Sequence, residues 1–99
     1  MGTDDKSTYE EKMEARLREL DAEMELLQAK ADRLEADARQ KNRTLLDDLR
    51  EQRDAVAEQM QNYRESAGSA LEEVRRGVEG AVSELADSIR RASDRFERE

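Results

Sequence analysis

The stretch "SAGSALEEVRRGVEGAV", residues 66–82, holds three of the chain's four glycines, Gly68, Gly77 and Gly80. Either the chain bends back here, or one helix runs through a thin place where a neighbour comes close. The apolar residues on both sides decide the reading. Val56, Ala67, Val78 and Ile89 form one row, Leu49, Met60, Leu71 and Val82 a second, and Tyr63, Val74, Leu85 and Phe96 a third. A repeat of eleven residues has about 3.67 residues per turn, so its stripe runs nearly straight along a helix. All three rows cross residues 66–82 in phase, which predicts one amphipathic helix through the stretch. Gly68 directly after Ala67, with Ser69 and Glu72 at capping-box spacing, supplies the alternative. That alternative is a helical hairpin bent near Gly68, in which residues 70–97 fold back on residues 40–65.

Upstream the period changes. Met13, Leu17, Leu20, Met24, Leu27, Ala31, Leu34 and Ala38 alternate spacings of four and three, a heptad seam that needs a covering helix. After Lys41 the pattern shifts by one residue into Leu45 and Leu49. Residues 1–8, MGTDDKST, hold nothing to bury and read as a disordered tail. Thr8 and Glu11 are spaced as a capping box, so the helix is expected to start near Tyr9. The expected organisation is a tail over 1–8, a heptad-type coiled-coil helix over 9–65, and an amphipathic helix with the eleven-residue repeat over 66–97. A single helix from Tyr9 to Arg95 would be roughly 130 Å long.

The flanks of the stripe differ. One carries Ala55, Ser66, Gly77 and Ser88 beside Ala70, Ala81 and Ala92; the other carries Arg53, Arg64 and Arg75. Glycine in a helix costs up to about 1 kcal/mol relative to alanine, so Gly77 in such a row suggests close approach of another helix. Ser66, Ala70, Gly77 and Ala81 are therefore the expected close-packing residues. The arginines are expected to lay their stems on the apolar edge and their heads in water or on carboxylates. Acids four residues before bases, as in Glu14 and Arg18 or Asp87 and Arg91, mark a solvated helix face.

Composition agrees with an all-α chain. Ala, Glu, Lys, Leu and Arg make up more than half of the 99 residues, charged residues are 44% and aromatics only 3%, and there is no Pro, Cys, His or Trp. The net charge of −8 argues against nucleic acid as a partner, because phosphate contacts need a basic surface. No run of about 18 apolar residues is present to span a bilayer, and no basic-then-apolar leader is seen, so a cytoplasmic location is expected.

No constellation for catalysis is legible. There is no histidine or cysteine, and Ser66, Ser69, Ser83, Ser88 and Ser93 lack a general base of the usual kind. Asp47, Asp48 and Glu51 could attract a hard cation, but a calcium site needs about six or more converging oxygens, so no metal and no cofactor are assigned. A lipid surface is the serious competitor, because a straight stripe can lie flat on an interface. Basic residues flank the stripe on one side only, and net acidity repels anionic lipid.

The segments "YEEKMEARLRELDAEMELLQAKADRLEADAR", "LREQRDAVAEQM" and "ESAGSALEEVRRGVEGAVSEL", with small residues around Gly68 and then Gly77, Val78, Glu79 and Ala81, resemble small bacterial apolipoprotein-like or stress-response coiled-coil proteins. The likeness covers roughly residues 9 to 89. Where members of that group commonly carry tryptophan, this chain has Leu71 and Val82, which removes two interfacial anchors for lipid. The resemblance implies a helical, non-enzymatic, cytoplasmic protein, expressed under envelope or osmotic stress.

The expectation is a coiled coil or helical bundle acting as a scaffold or partner-binding protein through self-association. Its partners would be itself, as a homodimer or small bundle, or another helical protein, with a reversible lipid or membrane surface as the alternative. The expected oligomer interface is Met13, Leu17, Leu20, Met24, Leu27, Leu34, Leu45, Leu49, Val56, Met60, Tyr63, Leu71, Val74, Val78, Val82, Leu85, Ile89 and Phe96.

Overall fold

The computed structural model describes residues 2–98, with side chains from Lys6 to Arg98. Three helices follow one another, α1 (Gly2–Asp32), α2 (Ala36–Glu65) and α3 (Ala70–Arg98), and each packs on the other two. The result is an all-α bundle measuring 53 × 18 × 16 Å. Contacts of Tyr9 with Arg75 and of Lys30 with Glu97 set α1 parallel to α3, while α2 runs the other way between them. The first and last helices therefore enter and leave at opposite ends of a short rod.

The chain does not run straight through residues 66–69. Helix α2 stops at Ser66, whose backbone is extended at φ −87° and ψ 154°, and Gly68 takes φ +63°, the left-handed conformation that glycine adopts without a side-chain clash. Ser66 Oγ donates to the Asn62 carbonyl at 2.7 Å and its N–H donates to the Tyr63 carbonyl at 3.2 Å, so the end of α2 is hydrogen-bonded off. The eleven-residue phase survives the reversal because α2 and α3 face the same core. Phase reports which side of each helix is buried, and it is blind to a turn that leaves both buried sides facing each other.

A second break divides the expected 9–65 helix. Residues 33–35 turn the chain although they contain neither glycine nor proline, and Glu35 at the start of α2 makes no side-chain cap. The turn exists because it lets the heptad seam of α1 find cover within the chain. At the other extreme α1 begins at Gly2, so residues 2–8 are helical rather than a tail, and the Thr8 and Glu11 pair lies inside the helix. The added turns are held from outside: Lys6 reaches the end of α2, and Tyr9 is buried between α2 and α3. Met1 lies outside the described residues.

One core runs the length of the rod. It takes Tyr9, Leu17, Leu20, Leu27 and Ala31 from α1, Leu46, Leu49, Val56, Met60 and Tyr63 from α2, and Val78, Val82, Leu85, Ile89, Ala92 and Phe96 from α3. Met13, Met24, Leu34, Leu45, Leu71 and Val74 pack against it half-buried. Every residue expected to line an interface with a second chain thus lies in or against the core of one chain. Folding in three covers both the heptad seam and the eleven-residue stripe, which is why a single chain closes where the sequence asked for a partner.

Candidate functional site

The surfaces this sequence specialises are the contacts between its helices. The row Arg53, Arg64 and Arg75 is the clearest, because all three side chains reach α1. Arg53 grips Asp21 with two hydrogen bonds, Nε to Oδ1 at 2.9 Å and Nη2 to Oδ2 at 3.1 Å. This fork geometry is the one in which a guanidinium recognises a carboxylate most specifically. The hydrogen bond to Asp21 raises the Arg53 pKa further, against the smaller opposing effect of burial. Arg64 pairs with Glu14, and the Arg75 guanidinium lies 4.1 Å from the centre of the Tyr9 ring. An arginine on every third turn of one edge therefore clamps the first helix to the other two. Two expected local pairs give way to other partners: Glu14 turns to Arg64 instead of Arg18, and Asp87 pairs with Arg90 instead of Arg91.

The small residues occupy different kinds of place. A Cβ built on Gly77 would stand 2.9 Å from Gln59 Oε1, so the Gln59 side chain of α2 lies across α3 there. Ser88 and Ala92 continue that side of α3 as buried residues. Ser66 instead belongs to the turn, Ala70 is an exposed first residue of α3, and Ala81 is half-buried. The close-packing expectation therefore describes Gly77 and not the turn residues, whose smallness serves the reversal.

An unforeseen cluster sits at the α2–α3 turn. Lys6 Nζ donates to the Arg64 carbonyl at 2.9 Å and to the Ser66 carbonyl at 2.8 Å, and stands 5.8 Å from the centre of the Tyr63 ring. The Tyr9 and Tyr63 rings meet at 4.8 Å with a tilt of 47°. Burial of the phenol, reinforced by the nearby Glu79 carboxylate, pushes the Tyr9 pKa up to about 12. Tyr9 lies four residues before Met13, a spacing that could have placed it on the buried face. Nothing local in the sequence could have assigned Lys6 to a carbonyl end sixty residues away.

The outer surface is almost wholly polar. Leu26, 65% exposed, is the one large apolar side chain open to solvent among the described residues. It borders a shallow groove between α1 and α3 in which Arg16, Lys30 and Arg90 are joined by Glu23. A second groove of about 540 Å³ beside the 33–35 turn mixes Arg39, Arg43 and Arg50 with Asp32 and Asp47. Neither groove gathers convergent groups of one sign. Among the described residues no cluster of three or more acids could hold a metal ion, and no helix is long and apolar enough to cross a membrane. Compared with known protein families, with curated proteins and with solved structures, the chain finds no match.

Proposed function

We propose that this protein is a non-enzymatic helical scaffold, acting in the cytoplasm through helix-to-helix contact with further copies of itself or with another helical protein. What supports this reading is the kind of face the apolar stripe makes, one built to pack helix on helix. In the closed rod the chain's own helices cover it, so a second copy or another helical protein reaches it only where a helix moves aside. Every large side chain of the heptad seam and of the eleven-residue rows serves packing between helices, and an arginine row of the same period clamps one helix to the next. The likeness of residues 9 to 89 to stress-response coiled-coil proteins adds a setting, envelope or osmotic stress.

Lipid binding is the second reading, and one observation favours it. Helix α3 separates its apolar and charged sides more sharply than α1 or α2 does, as surface-seeking helices do. In the closed rod that apolar side is covered, so uptake on lipid requires the bundle to open. Flotation with neutral and with anionic vesicles tests the choice. The scaffold reading expects the helical protein to stay with the soluble fraction on both; flotation of a sizeable fraction on either overturns it in favour of the lipid surface.

A further inference from the structure

The two turns of the bundle are built differently. Residues 66–69 stop a helix by design, with Gly68 at φ +63° between two serines and the carbonyl end of α2 capped by Lys6. Residues 33–35, Arg-Leu-Glu, contain no residue that favours a turn. The N–H groups of Arg33 and Leu34 still donate to carbonyls three residues back, Lys30 and Ala31, both at 3.1 Å, so the backbone remains helix-like up to the break. Glu35 has a helical φ of −63° and departs from the helix through its ψ of 158°. It offers no side-chain cap to the free N–H groups of α2.

Those facts leave the turn a helical alternative. A helix break leaves about four carbonyls and about four N–H groups without partners inside the helix, and rotation near Glu35 would satisfy them by joining α1 to α2. The seam is already in register for that joint, because Leu27, Ala31, Leu34 and Ala38 keep the four-three alternation through the break. The residues from Ala31 to Arg39 are mostly good helix formers. The first helix is also the one to leave, since α2 and α3 pack on each other more extensively than either packs on α1.

We propose that the protein pairs with a second copy of itself by exchanging α1, the 33–35 turn straightening so that Gly2 to Glu65 become one helix roughly 95 Å long. Resting on the self-association in the scaffold reading, this names the partner surface: the face of α2 and α3 that α1 covers in the monomer. Each α1 docks on the other copy's α2 and α3. Asp21 again meets Arg53, Glu14 meets Arg64 and Lys6 caps α2, now between chains. The arrangement closes on a two-fold axis, with Leu34 and Ala38 of the two joined helices crossing at the centre. Within one chain α1 competes at high effective concentration, so the exchanged pair forms at high protein concentration after warming and slow cooling.

Ala36→Pro separates the two states. Ala36 is exposed at the first position of α2 after an extended residue, where proline fits the turn, whereas proline in the joined helix removes a hydrogen bond and clashes with the preceding turn. The expected result is a dimer of the natural chain by sedimentation, with its association constant lowered roughly a hundredfold or more by Ala36→Pro while helicity holds. Because the chain has no cysteine, spin labels can be placed through Ala22→Cys and Ala55→Cys at two exposed positions. Diluted with unlabelled protein, the dimer should show an intrachain distance near 50 Å, against one helix spacing in the monomer. The label distances decide the matter even if the proline variant fails to fold. Absence of a dimer at every concentration, a dimer indifferent to Ala36→Pro in a folded variant, or a dimer with only the short distance overturns exchange. Absence of a dimer at every concentration would also remove self-association from the scaffold reading and leave contact with another helical protein, whereas the other two results overturn exchange alone.

Discussion

The ammonium group of Lys6 caps a helix that ends at Ser66, donating to the Ser66 carbonyl at 2.8 Å and to the Arg64 carbonyl at 2.9 Å. A cation at a helix C-terminus meets both the unpaired carbonyls and the negative end of the dipole. Lys6→Met keeps much of the stem and removes the donor. It is expected to lower stability by about 1 kcal/mol, read as a lower urea midpoint, with Lys12→Met on an exposed position of α1 as the comparison that moves little.

Leu20 and Leu26 sit six residues apart on α1 with opposite environments, 0% and 65% exposed. Removing Leu20 to alanine leaves a cavity in a thin core and is expected to cost about 3 kcal/mol. Leu26→Ala should stay within about 0.5 kcal/mol. Urea unfolding of the two variants checks the face assignment directly, and similar losses would show that α1 is turned differently.

The glycines make a graded series. A Cβ at Gly80 meets nothing within 4 Å, so Gly80→Ala should stabilise the protein by about 1 kcal/mol through helix propensity. At Gly77 the new methyl meets Gln59 Oε1 at 2.9 Å, and displacing the end of that flexible side chain should offset part of the same gain. Gly68 stands at φ +63°, and Gly68→Ala should cost about 1 to 2 kcal/mol. Thermal melts of the three variants should rank them Gly80, Gly77, Gly68 from most to least stable.

Tyr9 makes the fold sensitive to high pH. Its phenol is favoured neutral in the folded chain, with a pKa of about 12 against 10.0 in a model compound, and a folded value above the unfolded one means support that is complete below pH 10. That support, on the order of 1 kcal/mol once solvent screening is allowed for, is lost as pH rises from about 10 to 12. Tyr9→Phe should therefore lose less stability over this range than the natural chain. At neutral pH the variant should differ by less than about 1 kcal/mol, because the hydroxyl's hydrogen bond to the Arg75 carbonyl is long at 3.4 Å. In Tyr63→Phe protein, whose one remaining tyrosine is Tyr9, phenolate absorbance should rise near pH 12.

Burial along the helices was legible because it follows a period. The seam from Met13 to Ala38 and the rows ending at Ile89, Val82 and Phe96 turn to the core, fully or in part, save Ala67, which is exposed in the 66–69 turn. Departures come where period and neighbourhood disagree. Leu45, expected at the interface, is half-buried while its neighbour Leu46 is buried, since adjacent leucines at a change of period are ambiguous by spacing alone. Asn42 is fully buried with its side-chain amide donating to the Ala38 carbonyl at 2.8 Å, a place that no apolar pattern could assign to a polar residue.

The sequence by itself determined that the chain is helical, which side of each helix is buried, and that arginines line one edge of the stripe. These are local properties, set by propensity and by the angle between successive side chains. Tertiary structure alone decided how many helices there are and what covers them. A period constrains orientation about an axis and leaves the path of that axis free. The breaks at 33–35 and 66–69 therefore follow from the gain of burying three stripes against one another, and the contacts of Lys6 with Ser66 and of Arg53 with Asp21 exist only once the chain has turned twice.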